Sequence, residues 1–565
     1  MKILQMHADF IEYKPIKKEI RDAEEAKTDA VREEEVVVLF TAFERGDTPE
    51  LAAKAVRDAK EFLSKLGAKR LMIYPFAHLS QDLAKPADAL PLLETMVGEA
   101  KAQGIETMRS PFGWNKAMQI KVKGHPLAEM SRSYSEGQPT AQPRTQEPKQ
   151  AQRESDPRSR LKKSDFGSLP ETDHRVIGER LDLFSFQETS PGMVYWHDKG
   201  LKLWRVLEEM IRKEETKAGY VELSMPLLAN SALWKVSGHW DFYKENMFVT
   251  SLGGEEFALK PMNCPSTMLY YKTRKWSFRD LPLRIACFDA LHRNELSGVA
   301  SGLFRVKMLT QDDAHIFATR EGARAVIDEL LDLMLRLYSI FKFDFEVGIS
   351  TMPDDHAGTL EEWDEATEVL KSAVTSKGLK YAIKEKDGTF YAPKIDVDIK
   401  DSLGRKWQIT TIQLDLQLPR RFGLVHTGTD GKEHETVTVH RAIFGSLERF
   451  IGILLEHYKG KLPVWLSPVQ ATVVPLSDEH VVYAKKILSK LLEDGVRAQG
   501  DLASGTLNSK VRNSQLLKIP YVLVVGAKEE AAGTVAVRSR DGEQRFGVKP
   551  EDFVEEVRAL SSRFE

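Results

Sequence analysis

The chain has 565 residues, 42% hydrophobic and 29% charged, with a net charge of −3; that length predicts three or four domains with cores of their own. The near-neutral balance excludes a protein that coats nucleic acid through bulk charge, but not a local basic surface gripping one RNA. No stretch is long and apolar enough to span a bilayer, "MKILQMHADFIEYKPIKKEI" holds no apolar signal core, and two cysteines, Cys264 and Cys287, are too few for a disulfide framework. A reducing, cytoplasmic setting with no membrane partner is expected.

Residues 1–132 read as a small α/β domain. "KILQMHA", "VVVLFTAF" and "RLMIYPF" are β-rich. "PELAAKAVRDAKEFLSKLG" has apolar residues at helical spacing, starts after Thr48 with Pro49 in its first turn and stops at Gly67. "KAMQIKVKGHPL" is the last predicted strand. Composition then shifts: 131–163 is rich in Ser, Gln, Pro and Arg and almost free of large apolar side chains. Such a stretch buries too little surface to offset its ordering entropy, and a flexible linker is assigned to 133–168. Residues 169–463 alternate long helices and β-rich segments. "KGLKLWRVLEEMIRKEETKAG" predicts a helix ending at Gly219, and "FRVKMLTQDDAHIF" and "KWQITTIQLDLQL" predict strands. In 464–565, "VQATVVPLS", "DEHVVYAKKILSKLLEDG", "VRAQGDL", "TLNSKVRNSQLLK", "IPYVLVVG" and "GTVAVRSR" alternate strand and helix as βαβ units do. There is no internal repeat, and neither GxxxxGK nor GxGxxG occurs.

Two arginines, Arg293 and Arg305, flank a loop of small residues in "CFDALHRNELSGVASGLFRVKMLTQDDAHIF". Antiparallel strands joined there would bring both guanidiniums onto one anion, and the guanidinium fork suits phosphate; solvated arginines on a surface hairpin fit the pattern equally. Arg449, on a helix predicted after the strand "VTVHRAIFG", lies among Leu447, Phe450 and Ile451, where burial is costly unless the charge meets an anion. Cys264, in "KPMNCPSTMLYY", cannot open a CxxC pair. Alone it reads as a buried thiol, as Cys287 does.

"SGHWDFYKENMF", "KPMNCP", "TQDDAHIF", "TIQLD" and "HRAIFGSLERF", in this order, carry a resemblance to class II aminoacyl-tRNA synthetases, most specifically threonyl-tRNA synthetases. It runs from about 178 to the C-terminal end, with "HRNE…FRV" and "GSLERF" similar to motifs 2 and 3, and "MPLLANSALWKVSGHWDFYKENMF" to motif 1 and the segment after it. The resemblance implies an antiparallel-sheet catalytic core at 169–463. Cys264, His315 and His440 would hold one Zn²⁺ per subunit, leaving a position for the amino and hydroxyl groups of threonine; valine lacks the hydroxyl. Gln311, Asp313, Tyr391 and Gln413 would line the amino-acid pocket, Asp313 accepting the substrate hydroxyl proton. Arg293, Glu295, Arg305 and Arg449 would bind ATP, which brings Mg²⁺: Arg293 on the α-phosphate, Arg305 and Arg449 on the outer phosphates, Glu295 on adenine. His239 would help deprotonate the tRNA hydroxyl. Leu309 stands where the family often has an aromatic stacked on adenine.

Serine keeps the hydroxyl and loses one methyl, a difference worth only about 1–3 kcal/mol in a binding pocket, so a second site removing seryl-tRNA is physically expected. "HADFIEY", "YPFAHLS", "PFGWNKA" and "KGHPLAEMSR" resemble the archaeal-type editing domain, similar in fold to D-aminoacyl-tRNA deacylase, which implies an editing pocket with His78, Lys116 and Glu129. Asn115 replaces the family's usual aromatic. Residues 464–565 resemble the α/β anticodon-binding domain, with Arg512 and Lys518 on a predicted helix and Glu529 and Arg538 after the following strand as anticodon contacts. The implied partners are tRNA-Thr, ATP, L-threonine and a second copy in a homodimer through Pro226 of motif 1. The expected activity is threonine--tRNA ligation with hydrolysis of Ser-tRNA-Thr; the rival readings are a catalytically silent RNA-binding paralogue and another class II synthetase, such as the prolyl or seryl enzyme.

Overall fold

A computed structural model describes residues 1–20, 23–27, 29–80, 82–123, 129–134, 169–295, 302–401 and 404–564, except for the side chains of residues 65, 78, 129, 131 and 133. Residues 135–168 of the assigned linker, and the side chains of His78 and Glu129, therefore lie outside the described residues. The chain divides into two units, Met1–Gln152 and Arg153–Glu565.

In the first unit the helix Pro49–Leu66 forms where its signals lie. The Thr48 hydroxyl accepts the Leu51 N–H, Pro49 occupies the first turn, where a missing N–H costs nothing, and Gly67 ends the helix at φ 66°. Its apolar stripe and that of the helix Pro86–Ala102 cover Val37, Leu39, Leu71 and Ile73 of the sheet. The sheet runs Glu106–Arg109, Arg70–Pro75, Val31–Ala42, Lys2–Lys18, Trp114–Val122. Val36, Val38, Phe40, Met72 and Tyr74 point to the other face and cluster with Ala8, Ile11 and Tyr13. One strand differs from the sequence reading. Glu129–Ser133 pairs with Lys2–Lys18, matching Ile3 to Arg132 and Lys2 to Ser133, although the low-apolar stretch opens at 131. Tyr134 then packs into the core and donates its hydroxyl to Asp58 at 3.1 Å. Backbone pairing holds this strand, so polar composition conceals it.

The second unit holds a nine-stranded sheet. Along it lie Tyr381–Lys384, Phe345–Ser350, Lys394–Lys400, Lys406–Asp415, Val437–Ser446, Met308–Ala318, Leu283–Cys287 and Val221–Leu223, with Ala290–His292 beside Met308–Ala318. Pairing is antiparallel through the centre and parallel only at the two ends. The helices Asp198–Lys217, Ala323–Phe341, Leu360–Ser376 and Leu447–His457 bury their apolar stripes in one core against it. A five-stranded sheet, Ala498–Gly500, Ala471–Pro475, Tyr521–Val525, Val535–Ser539 and Gln544–Val548, forms the C-terminal layer, its first three strands parallel. Cys287 is fully buried in core, as the sequence implies.

A buried ionic network locks the two central strands. Asp312 accepts the N–H groups of Ile443 and Phe444 at 2.9 and 3.0 Å. Arg441 donates to the Asp312 carbonyl at 2.7 Å and to the Glu215 carboxylate. All three side chains are buried, so removing the arginine strands two carboxylates in low dielectric. Arg441→Met should therefore destabilise this unit by about 3–5 kcal/mol. Arg420→Met, which breaks an exposed pair with Glu435 and Glu362, should cost under about 1 kcal/mol. Denaturant titration of both variants checks this, and equal losses would contradict it.

Candidate active site

His315 and His440 are direct cross-strand partners on the two central strands. Their ring centroids are 4.8 Å apart and both side chains are buried. Cys264 opens the helix Cys264–Tyr271, with Pro265 in its first turn, and its thiol faces the same point. The Cys264 sulfur and one nitrogen from each histidine all lie within 4.8 Å of one another. One thiol and two imidazoles suit a borderline-soft cation such as Zn²⁺, and three protein ligands leave a coordination position open.

Local chemistry agrees with a cation at this point. His315 Nδ1 is buried without a hydrogen-bond partner. Burial holds the His315 pKa down at about 4, so the ring is neutral and able to ligate. Burial, then Asp313 and Asp415, pushes the Cys264 thiol well above its ordinary range, which is the penalty a bound cation would lift. His440 Nε2 lies 2.8 Å from Asp415 Oδ2, and Asp415 Oδ1 accepts the N–H groups of Gln417 and Leu418. Such a carboxylate fixes the ring's orientation and leaves Nδ1 as its remaining ligand atom.

Around these candidate ligands stand the predicted pocket residues. Tyr391 donates its hydroxyl to Gln413 Oε1 at 3.0 Å, and its ring lies 5.4 Å from that of His440. Asp313 accepts Asn263 Nδ2 at 2.9 Å. Gln311 precedes it on the same strand, opposite Ser446. His239 is fully buried, its Nδ1 2.9 Å from Ser237 Oγ and its Nε2 4.0 Å from Cys264 Sγ. Burial lowers its pKa to about 3. Asp415 and Asn263 have no role in the sequence reading, although "TIQLD" and "KPMNCP" contain them; what defines them is contact across the fold.

The arginines also converge. Arg293 and Arg305 both raise the cost of charge on Arg449, whose pKa falls to about 10 through burial first and these two neighbours next. The Arg449 guanidinium donates to the carbonyls of Phe304 and Gln408, each at 2.8 Å, and lies over the Trp407 ring. Arg293 donates to the Pro261 carbonyl at 3.2 Å, and Arg305 pairs with Glu295 at 2.8 Å. Carbonyls hold Arg293 and Arg449, and a carboxylate holds Arg305, an arrangement that suits an incoming anion. Arg305 sits in the turn 302–307 ahead of Met308–Ala318, not on the strand that "FRVKMLTQDDAHIF" predicts. Leu309 belongs to the apolar core.

Elsewhere the predicted residues are more dispersed. Lys116 donates to the Pro111 carbonyl at 2.8 Å, lies over the Tyr74 ring and is lowered to about 8 by burial. Arg512 is exposed on the helix Leu507–Leu516, and Arg538 is on the strand Val535–Ser539. Glu529 caps the helix Ala527–Ala532 by accepting the Gly526 N–H. Lys518 is a correction: the helix has already ended, and Lys518 adopts φ 56° in the turn beyond it. There it lines a small pocket with Leu181, Lys199 and Gly460.

The donor set makes a prediction. Zinc added to metal-free protein at neutral pH should release about one proton, that of the Cys264 thiol. Calorimetry in buffers of different ionisation enthalpy reads it, and Cys264→Ser should abolish the release. Binding of zinc without proton release would contradict thiolate ligation.

Comparison with known proteins places each unit. Residues 1–134 match the archaea-specific editing domain of threonyl-tRNA synthetase, 247–458 the class II tRNA synthetase core domain (G, H, P, S and T), and 470–560 an anticodon-binding domain. The threonine--tRNA ligase of Desulfatibacillum aliphaticivorans is 50% identical over 385 residues, covering 68% of this chain and 60% of that protein. That of Desulforapulum autotrophicum is 47% identical over 387 residues, covering 68% and 61%. The chain thus spans about 60% of the length of the curated relatives it matches. A crystal structure titled as the RNA-binding domain of threonyl-tRNA synthetase from Cryptosporidium parvum superposes with a TM-score of 0.67 at 41% identity, covering 69% of this chain and 98% of that one. With its class II sheet and the Cys264, His315 and His440 cluster, this chain belongs to the threonyl-tRNA synthetase family.

Proposed function

We propose that the protein is a threonine--tRNA ligase that activates L-threonine with ATP, transfers it to tRNA-Thr and hydrolyses Ser-tRNA-Thr in its N-terminal domain. The observation that carries this reading is a buried thiol and two buried imidazoles whose ligand atoms lie within 4.8 Å of one another, with Arg293 and Arg305 close enough to act on the buried Arg449. One Zn²⁺ held by Cys264, His315 and His440 would, when bound, coordinate the amino and hydroxyl groups of threonine, a pair that valine lacks. Asp313, held by Asn263, accepts the hydroxyl proton of the substrate. Tyr391 and Gln413 close the pocket, and Gln311 lines its edge.

In activation, a threonine carboxylate oxygen attacks the α-phosphorus of ATP and diphosphate leaves. Positioning and charge neutralisation dominate such a step. Arg293 takes the α-phosphate, while Arg305 and Arg449 take the outer phosphates, with Mg²⁺ accompanying the nucleotide. Arg305 is the exposed member and is already paired with Glu295, so ATP binding draws it from that carboxylate and leaves Glu295 to the adenine. His239, next to Cys264, is proposed to help deprotonate the tRNA ribose hydroxyl.

Exposed Val221, Pro226, Leu227 and Leu252 support a homodimer through the motif 1 region. No helix among the described residues is long and apolar enough to cross a membrane, and both cysteines are free, as a cytoplasmic protein would have them. Arg512, Lys518, Glu529 and Arg538 are proposed as anticodon contacts, and 1–134, 135–168, 169–463 and 464–565 as editing domain, linker, catalytic domain and anticodon domain, the first boundary lying two residues beyond the sequence reading because Ser133 pairs with Lys2 and Tyr134 is in the core. His78, Lys116 and Glu129 are proposed for the editing pocket.

Charging assays test the whole reading. The protein should attach threonine to tRNA-Thr, reject valine and hydrolyse preformed Ser-tRNA-Thr faster than Thr-tRNA-Thr. Deleting 1–130 should leave threonylation intact and let Ser-tRNA-Thr accumulate, and Lys116→Ala should do so more mildly. A chain that activates no threonine would support the silent-paralogue reading instead. Equal hydrolysis of the seryl ester by the truncated chain would remove editing from the N-terminal domain.

A further inference from the structure

Among the described residues a second cluster has the proximity of a metal site: Asp173, His174 and Glu456, all buried. Its hydrogen bonds give it another role. His174 Nδ1 lies 2.8 Å from Glu456 Oε1, and the Leu303 N–H points at His174 Nε2 from 3.0 Å. A backbone N–H only donates, so Nε2 must be the acceptor and the proton sits on Nδ1, facing the carboxylate. Both ring nitrogens are engaged. Asp173 meanwhile receives two hydrogen bonds from the Arg175 guanidinium and one from its N–H. With Nε2 accepting from Leu303 and Nδ1–H facing Glu456, the imidazole has no lone pair left for a cation.

What the imidazole holds is the return of the loop that carries Arg305. Gly302 has φ 56°, and a β-carbon there would meet His174 Nε2 at 2.3 Å. The ring packs on Phe304 with centroids 4.2 Å apart. The Phe304 carbonyl accepts Arg449 Nε at 2.8 Å, and its ring lies against Trp407. Glu456, the other partner of His174, is two turns after Arg449 on the helix Leu447–His457. We infer that His174 is a positioning residue for the nucleotide site: it pins Leu303 to the Arg449 helix and so sets the Phe304 carbonyl that aims Arg449, and Arg305 beside it. The inference rests on the proposed ATP site.

Two substitutions separate this role from simple packing, since both remove the ring. In His174→Gln the side-chain oxygen reaches the Nε2 position and can still accept the Leu303 N–H, while the backbone N–H of residue 174, 3.2 Å from Glu456 Oε1, keeps the tie to the helix; in His174→Asn that backbone tie remains but the Leu303 N–H is left unpaired. Calorimetric binding of ATP with Mg²⁺ to the full-length chain should weaken about tenfold in His174→Asn and by no more than about twofold in His174→Gln, with zinc content equal in both. Equal weakening in the two variants, or unaltered binding by His174→Asn, would overturn the inference. Wild-type protein that binds no ATP would instead overturn the nucleotide-site reading beneath it.

Discussion

The register between the strands Met308–Ala318 and Val437–Ser446 is the constraint on which the active site depends. Because His315 and His440 are direct partners in an antiparallel pair, a slip of one residue would send one imidazole to the opposite face. The lock is built from charge. Asp312, three residues before His315, takes two N–H groups from the neighbouring strand, and Arg441, next to His440, holds it from behind together with Glu215. Buried ion networks contribute little net stability, but they penalise alternative registers. Here the penalty falls on the two strands that carry the candidate metal ligands His315 and His440.

From that register the rest follows in layers. Asp415, at the end of the next strand, orients His440. Asn263, one residue before Cys264, orients Asp313. Lys260, fully buried, reaches Asp289 at 2.6 Å, and Asp289 accepts the Met225 N–H, tying the start of the Cys264 segment to motif 1. On the other side of the cleft, the guanidinium of Arg449 is held by carbonyls instead of carboxylates. Arg293 and Arg305 repel that charge, while Glu295 and Glu448 offset part of the repulsion.

The candidate ligands and arginines were legible in the chain because they stand inside short, specific motifs, and the helix Pro49–Leu66 because it carries its own cap and stop. What stayed hidden is mostly contact between distant residues. His174, Leu303 and Glu456 meet across 129 and 282 residues of sequence, and no spacing rule joins them. The strand Glu129–Ser133 was masked because main-chain pairing needs no apolar side chain. Arg305 read as strand because β-branched and apolar neighbours surround it, whereas the Gly302 turn and the His174 contact hold that segment outside the ladder. Lys518 read as helical because the pattern continued past a helix that ends at Leu516.

On the proposed reading, a thiolate and two imidazoles set by strand register bind zinc and leave room for the amino acid. X-ray absorption at the zinc edge on the loaded full-length protein tests it most directly. One zinc per chain with one sulfur and two imidazole nitrogens is expected, and a light-atom shell that changes on adding threonine more than on adding valine. A shell without sulfur, or a spectrum indifferent to threonine, would contradict it.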